Sequence, residues 1–537
     1  MIRIKIFKCD RRWKRFLFLG LSGILTGLTV VFPEIGFLQW LTLIPVGLFL
    51  IDAAASDGIR ARGTYGYGLF FFWCYFAVIF HWFMDMYPLD FIDGMTPVAA
   101  IIVCLAGCLG LSGFQAAIGG LAFVAIRMLF KTRLLTRFEY LRPFCAAGIW
   151  AIHEWSQTLG WWGVPWGRLP LGQVKYIAGL QTASLFGSYF VTFVLVAVNM
   201  CLAYLLLHLS SLGARKVMIS AVCSMLVFQY GLGALLYFVP VDGEETVKVA
   251  MVQGNISSDE KWSDESTLKT MTVYWEYTHK AADAGADVVV WPETAMPWVL
   301  NEGSVKRKEC ASLAKDAGVT LLVGAFTRGE NGELYNSVIC FNPDGTVEDN
   351  VYLKRRLVPF GEFVPFRDFL EFIAPPLADM VRNDEDLSIG DKSEVFDTDK
   401  VKIGSIICYD QLYEAISLEA TVAGAEIITV SSNDSWFTSS AAPDMNNAQS
   451  QLRAIENGRY VARAANTGLT TAINSKGEVI DSIPPRDDGL LVADFHVNTH
   501  QTLYTSTGNV FILMLSVAFL AILSCEIGMY IYKNKKR

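Results

Sequence analysis

Long apolar runs alternate with short polar stretches between residues 16 and 239, and one more apolar run lies near the end of the chain. A helix needs about 20 apolar residues to cross a bilayer. The pattern therefore predicts an α-helical membrane bundle of about eight spans. The predicted spans are 16–33, 36–54, 64–83, 97–126, 143–160, 178–208, 217–239 and 509–532.

Residues 242–506 follow a different pattern, in which short β-branched runs alternate with stretches of helical periodicity. Alternating strands and helices predict a layered α/β domain, and this block is long enough to bury its own core. The predicted strands are 247–252, 287–291, 320–326, 337–341, 402–408, 426–431, 469–473 and 490–495, and the predicted helices are 264–283, 303–316, 411–423 and 443–465. The predicted domains are a transmembrane domain at 1–241, a catalytic domain at 242–506, and a C-terminal transmembrane helix with its tail at 507–537.

Basic residues predict how the spans are oriented. Clusters of Lys and Arg precede the first span and follow the second, fourth, sixth and eighth, whereas the loop 84–96 has none. With eight spans every cluster falls on one side, which is expected to be cytoplasmic. Both termini are then cytoplasmic. In a bacterium, the block 242–506 would lie on the periplasmic side of the inner membrane.

Composition supports a membrane protein and excludes several other classes. Of 537 residues, 53% are hydrophobic and 18% are charged, against about 25% charged in a soluble protein. The net charge of −8 gives no reason to expect a nucleic-acid partner. The 11 cysteines form no CxxC pair, so the sequence supports neither a zinc site nor a disulfide framework. No cofactor is expected.

Three predicted loops of the soluble block carry residues suited to catalysis. The predicted strand 287–291 ends abruptly at Pro292, which is followed by Glu293. A second predicted strand ends at Cys408, and Lys354 lies between the two in the chain. Loops at the carboxyl ends of strands are where α/β folds place their sites.

A cysteine attacks as the thiolate, so a base must remove its proton. A desolvated carboxylate such as Glu293 could act as that base, and a cation such as Lys354 could stabilise the thiolate and an oxyanion. Each residue alone also fits a structural role, as a core thiol, a helix cap or a solvated charge. The hypothesis of a site at Glu293, Lys354 and Cys408 depends on their joint occurrence.

The segments around these residues resemble the nitrilase, or carbon–nitrogen hydrolase, superfamily. The matching segments are WPETAMPW at 291–298, LKRRLVPFGEFVPF at 353–366 and ICYD at 407–410. The resemblance implies an α-β-β-α sandwich with a Glu-Lys-Cys triad. Together with the membrane spans, three further segments are similar to the apolipoprotein N-acyltransferase family over almost the whole chain: QGNISSDEKW at 253–262, SNDSWF at 432–437 and RAIENGRYVARAANTG at 453–468. Asp410 departs from the glutamate usual in that family, which leaves its partner open.

The second resemblance implies a reaction and its substrates. Cys408 would take an acyl chain from a phospholipid, with phosphatidylethanolamine as the expected donor, and pass it as a thioester to the α-amine of a diacylglyceryl apolipoprotein. The supporting residues implied are Glu362, Tyr409 and Asp410, and those implied to contact lipid are Trp262, Trp298 and Trp436. The apolar run 366–380 is predicted to cover the site or to enter lipid.

Two alternatives remain open from the sequence. A membrane-tethered amidase would use the same triad with water as the second nucleophile. A non-catalytic lipoprotein-binding protein would not need Cys408. About eight spans exceed what anchoring requires, and the complete set of three residues favours an enzyme acting on lipid.

Overall fold

A computed structural model describes residues 12–535 except 57, 90–94, 161, 258–263, 374–384, 436 and 438–440. The chain divides into two compact units. The first comprises Met1–Tyr87, Val98–Val239 and Thr507–Arg537, and the second comprises Pro88–Pro97 and Pro240–Ser506. The first unit is helical and the second is built on two β-sheets, as the predicted fold class requires.

Among the described residues of the first unit, seven helical stretches are long and apolar enough to cross a membrane. They confirm seven of the eight predicted spans. The eighth, 143–160, is a shorter helix. The seven stretches are Arg12–Val31, Pro33–Ala55, Ala61–Met86, Pro97–Phe130, Ser188–Leu207, Leu212–Phe238 and Val510–Met529. The shorter helices of this unit are Arg133–Arg137, Arg142–Ser156, Ile177–Leu180 and Ala183–Phe186.

Two boundaries differ from the prediction. The predicted span 143–160 is a helix of 15 residues, Arg142–Ser156, so it falls short of the length that a straight crossing needs. The predicted span 178–208 becomes a membrane-length helix only from Ser188 onward. Gly187 has φ +78°, a conformation that ends the preceding short helix and that glycine adopts at low cost.

The second unit contains a seven-stranded and a six-stranded sheet. The first sheet has the order β13-β1-β2-β4-β5-β6 with β3 paired to β4, and the second has the order β12-β11-β10-β9-β8-β7. The strands are β1 Thr246–Gln253, β2 Val288–Val290, β3 Met296–Val299, β4 Thr320–Arg328, β5 Leu334–Phe341, β6 Val347–Leu353, β7 Val395–Asp397, β8 Lys402–Ile407, β9 Ile427–Ser432, β10 Tyr460–Ala465, β11 Thr470–Ile473, β12 Val479–Ile483 and β13 Gly489–His496. The helices are Asp264–Asp283, Val305–Ala317, Arg367–Ile373, Glu414–Val422, Ala442–Asn457 and Leu503–Thr507.

The centre of each sheet is parallel and buried. β2 pairs in parallel with β1 and β4, and β9 pairs in parallel with β8 and β10. These strands are almost continuously buried, as strands covered on both faces are. Parallel neighbours bring their carboxyl ends to one edge, so this arrangement positions the loops after β2, β8 and β9 for a site.

All eight predicted strands are present, but the predicted helix 443–465 is wrong at its end. The helix stops at Asn457 because Gly458 takes a left-handed conformation, φ +61°, which terminates helices. Tyr460–Ala465 then forms β10 within the six-stranded sheet. The sequence reading also missed β3, β6, β7 and β12, which are short or carry polar residues.

Gly324 on β4 allows a close approach between two segments of the first sheet. A Cβ at this position would overlap the carbonyl oxygen of Pro292 and would lie 3.0 Å from the Cα of Glu293. Because both contacts are with backbone atoms, a side chain could be accommodated only by moving the turn that carries Glu293.

We expect Gly324→Ala to lower the stability of the second unit by roughly 1–3 kcal/mol, the usual cost of overpacking a core, and to displace Glu293. Thermal unfolding of the purified protein measures the effect. Gly361→Ala is the matched control, because a Cβ there would make ordinary contacts with Val358 at 3.4 Å or more. Equal melting temperatures for the two variants would contradict the close approach.

Candidate active site

Glu293 is held by the chain that leaves β2. The amide of Trp291 still donates to Leu322 O of β4 at 2.9 Å, but Pro292 has no N–H with which to extend the ladder. Thr294 then takes a left-handed φ of +47°, so the chain turns sharply at the carboxylate. Glu293 is only 6% exposed.

Lys354 follows the last residue of β6, and its side chain extends to the carboxylate of Glu293. Its amide donates to Asn336 O at 2.8 Å and its carbonyl accepts from Gly390 N at 2.9 Å, so its backbone is fixed on both sides. The ammonium donates to Glu293 Oε1 at 2.7 Å and to Glu362 Oε1 at 2.8 Å. With Lys354 only 1% exposed, this is a buried cation between two carboxylates.

Asn336 on β5 ties the two carboxylates together, and sequence reasoning missed it. Its side-chain Nδ2 donates to Glu293 Oε1 at 2.7 Å and to Glu362 Oε1 at 3.1 Å. Glu362 Oε2 also accepts from Val358 N at 2.8 Å. The available signal was an amide in an otherwise apolar buried strand, NSVICF, since a buried polar side chain requires hydrogen-bond partners.

Cys408 lies at the turn that ends β8. Its φ of +45° is left-handed, a strained conformation for a residue with a Cβ and one that clusters at functional sites. Cys408 as a whole residue is partly exposed. Ile407 pairs in register with Ser431 of β9, and the Ser431 hydroxyl donates to Trp291 O at 3.0 Å. These contacts bring the Cys408 turn to the segment that carries Glu293.

The charges of the three predicted catalytic residues act on one another. Burial raises the pKa of the Cys408 thiol, Glu293 raises it further, and Lys354 opposes both. Although burial disfavours its charge, Glu293 and Glu362 raise the pKa of Lys354 well above its ordinary value. The thiol is therefore protonated at rest beside a permanent cation, so it requires a base before it can attack.

Asp410 holds the Cys408 turn and the segment after Lys354 together. Its carboxylate accepts from Tyr352 OH at 2.8 Å and from the amides of Ile407, Arg355 and Arg356 at 3.2, 3.2 and 2.7 Å. It is fully buried. The prediction that Asp410 supports the site stays a prediction, but its partners are now defined.

A second buried ion pair lies after β9, within the SNDSWF segment. Arg463 donates to Asp434 Oδ2 at 2.7 Å and to Ser432 Oγ at 3.2 Å, and Ser432 donates to Asp434 Oδ1 at 3.1 Å. Asp434 adds to the increase in the Cys408 pKa, and a hydrogen bond from Ser432 lowers it. The network therefore lies close to the thiol, although the sequence analysis assigned no role to Asp434 or Arg463.

The other predicted residues are placed as follows. Tyr409 is buried, with its ring 5.5 Å from that of Tyr413. Trp298 on β3 is partly buried, and Lys306 Nζ lies 5.0 Å from its ring centroid. Trp262 and Trp436 lie outside the described residues. In the part of the chain that the structure describes, no group of three His, Cys, Asp or Glu side chains could hold a metal ion.

The comparisons with known proteins match both units. Residues 248–504 match the carbon-nitrogen hydrolase family model, and residues 22–201 match the model of the apolipoprotein N-acyltransferase N-terminal domain. Among solved structures, the chain resembles Nit3 of Saccharomyces cerevisiae, a nitrilase-superfamily member, with 19% identity, a TM-score of 0.37, and coverage of 48% of this chain and 92% of Nit3. The family-model match identifies the α/β unit as a carbon–nitrogen hydrolase domain, joined in one chain to a helical unit of membrane character.

Curated relatives define the family more closely. The apolipoprotein N-acyltransferase of Geobacter metallireducens is 29% identical over 68% of this chain and 70% of its own length. Those of Gloeobacter violaceus and Pseudomonas putida are 27% and 29% identical, and cover 82% and 80% of this chain and 80% of each relative. The chain belongs to the apolipoprotein N-acyltransferase family.

Asp410 gives the site a measurable pH signature. Burial raises the pKa of Asp410 from 3.8 to about 6, so the folded protein binds this proton more tightly than the unfolded chain does. The resulting stability is complete below the unfolded pKa and is lost as the pH rises through the folded pKa.

We expect the wild type to lose roughly 1–3 kcal/mol of stability relative to Asp410→Asn between about pH 4 and 6. Thermal unfolding of both proteins at a series of pH values measures the difference. Parallel pH profiles would show that Asp410 does not bind a proton differently in the two states.

Proposed function

We propose that this chain transfers an acyl chain from a phospholipid to the α-amine of the N-terminal diacylglyceryl-cysteine of apolipoproteins, through a thioester on Cys408. The observation that carries the proposal is the buried Glu293–Lys354 ion pair at the strand ends next to Cys408. The chain also belongs to the apolipoprotein N-acyltransferase family. Phosphatidylethanolamine is the proposed donor.

In the first half-reaction, Glu293 accepts the proton of the Cys408 thiol. The thiolate attacks the sn-1 ester carbonyl of the donor, and Lys354 with backbone amides stabilises the oxyanion. When the tetrahedral intermediate collapses, its carbon–oxygen bond breaks and the glycerol oxygen takes the proton from Glu293. Lysophospholipid leaves, and the acyl chain remains on Cys408 as a thioester.

In the second half-reaction, the α-amine of the acceptor attacks the thioester carbonyl. Glu293 accepts a proton from the amine as the carbon–nitrogen bond forms, and Lys354 again faces the oxyanion. Collapse of the intermediate expels the Cys408 sulfur, which regains the proton from Glu293. One site thus serves two lipid-bearing substrates in turn.

Exposed aromatic side chains support contact with lipid. Phe366, Phe369 and Phe372 are 71%, 61% and 86% exposed on and beside the short helix Arg367–Ile373. Large apolar side chains grouped on a surface are typical of interfaces with lipid or with another molecule. The rest of the predicted apolar run, 374–380, lies outside the described residues.

We further propose that the second unit lies on the periplasmic side of the inner membrane, with both termini in the cytoplasm. This orientation requires Arg142–Ser156 and the segment after it to cross the membrane, because only eight crossings put every basic cluster on one side. Buried residues throughout 163–174 support this, since irregular backbone at membrane depth is tolerated where protein surrounds it.

Intact-mass and peptide mass spectrometry test the mechanism directly. After incubation with phosphatidylethanolamine, we expect an acyl adduct on Cys408, with Cys310 and Cys340 of the same unit as internal controls. Both control residues are buried, whereas Cys408 is partly exposed, and only the Cys408 thiol is acted on by Glu293 and Lys354, so the controls should remain free. Cys408→Ala should carry no adduct, and Glu293→Gln should form it far more slowly.

Two results would count against this mechanism. Wild-type protein that remains unmodified under turnover conditions would refute the acyl-enzyme. Hydrolysis of soluble amides without any phospholipid would favour the amidase alternative, in which water replaces the lipidated amine.

Labelling of single cysteines introduced at Asn331 and Arg537 tests the orientation. We expect a membrane-impermeant thiol reagent to reach position 331 from the periplasmic side and position 537 only after the membrane is opened. Labelling of both positions from the same side would mean an even number of crossings between them, and the proposed topology would be wrong.

A further inference from the structure

Arg356 carries a charge that the proposed mechanism does not use. It follows Lys354 by two residues, and its backbone amide donates to Asp410 Oδ1 at 2.7 Å. Because Asp410 also accepts from Ile407 N, this bond fixes the chain at Arg356 beside the Cys408 turn. The Arg356 guanidinium lies over the ring of Tyr413, 4.6 Å from its centroid.

Arg355, the neighbouring arginine, has a carboxylate partner of its own. Arg355 forms an ion pair with Glu419 and donates to Ser393 Oγ at 2.9 Å. Arg356 is partly exposed, and no carboxylate in the described part of the chain lies within ion-pair distance of its guanidinium. A ring contact covers one face of a guanidinium and leaves its in-plane N–H donors able to bind an anion.

Two aromatic rings, those of Tyr413 and Tyr409, connect the charge of Arg356 to the Cys408 turn. Tyr413, on which it stacks, contacts Tyr409 edge to face with ring centroids 5.5 Å apart, and Tyr409 directly follows Cys408. The positive charge of Arg356 acts on the hydroxyls of both tyrosines. Arg356 thus places a cation that has no carboxylate partner among the described residues two rings from the Cys408 turn, outside the buried Lys354 cluster.

We propose that Arg356 binds the phosphate of the phospholipid acyl donor, an inference that rests on the proposed function. A phosphodiester offers two anionic oxygens that match the planar guanidinium, and such pairs are among the stronger hydrogen bonds in proteins. The phosphate and the sn-1 ester are attached to the same three-carbon glycerol, so binding one positions the other at Cys408. The diacylglyceryl acceptor has no phosphate, and Arg356 therefore acts only in the first half-reaction.

Arg356→Gln tests this assignment in single-turnover acylation of Cys408, followed by mass spectrometry. The two donors are phosphatidylethanolamine and a diacylglycerol with the same acyl chains, which lacks the phosphate. We expect acylation by the phospholipid to slow by roughly 10- to 100-fold, the loss of one or two charge-assisted hydrogen bonds, and acylation by diacylglycerol to keep its rate. Arg356→Lys should fall between, because it keeps the charge without the two-pronged geometry.

Arg355→Gln is the matched control, since it removes an adjacent and equally charged side chain that has its own carboxylate partner. It should acylate from both donors at the wild-type rate. If diacylglycerol reacts too slowly for its rate to be compared, a second measurement replaces it. The rate of acyl transfer from preformed acyl-enzyme to a diacylglyceryl-cysteine peptide should be unchanged in Arg356→Gln.

The outcomes separate this inference from the proposed function. Equal slowing of Arg356→Gln with both donors or in both half-reactions would assign Arg356 a structural role, and an unchanged rate with phospholipid would exclude phosphate binding. Either result overturns the inference while Cys408 is still acylated. Wild-type protein that phospholipid does not acylate would refute the proposed function, and the inference with it.

Discussion

The ammonium of Lys354, buried between Glu293 and Glu362, is the interaction on which the site depends. Moving charges out of water costs several kcal/mol per ion, and a buried pair recovers this cost only with close geometry and further hydrogen bonds. Here the ammonium meets both carboxylates below 3 Å, and Asn336 donates to each of them. The segments that carry these groups must therefore keep close hydrogen-bonding geometry for the buried charges to be tolerated.

Under the proposed function, this cluster also explains how a thiol with a raised pKa can react. Proton transfer from Cys408 to Glu293 moves a negative charge from carboxylate to sulfur without changing the total charge of the cluster. Lys354 faces the negative charge before and after the transfer, and Glu362 keeps the ammonium in place through both. The environment needs little rearrangement during the step, which is the condition for preorganised electrostatic catalysis. A histidine base would instead alternate between neutral and positive beside a permanent cation.

The sequence predicted the strands, and it identified Glu293, Lys354 and Cys408 as candidates for one site, because each signal was local. Val288–Val290 and Lys402–Ile407 are apolar runs that end at a proline turn or at a polar residue, and the chemistry comes directly after them. The sequence analysis did not identify Asn336, because its role depends on the pairing of β5 with β6 that brings it to Lys354. No local pattern encodes that pairing. Gly187 and Gly458 set element boundaries through positive φ, which hydrophobic periodicity does not register. The predicted span 143–160 was too long because it included residues 157–160, which leave the helix after Ser156 as turns and bends.

The same cluster bears on why such a site would transfer an acyl group to an amine rather than to water. A thioester is open to any nucleophile that reaches it, so selectivity depends on what can approach Cys408. Lys354 and Glu293 are almost wholly buried, whereas the residue Cys408 is partly exposed. Phe366, Phe369 and Phe372 give the same unit an apolar surface. Under the proposed function, that surface favours lipid tails over bulk water. An amine delivered on a diacylglyceryl anchor would then meet the thioester at a far higher effective concentration than a free one.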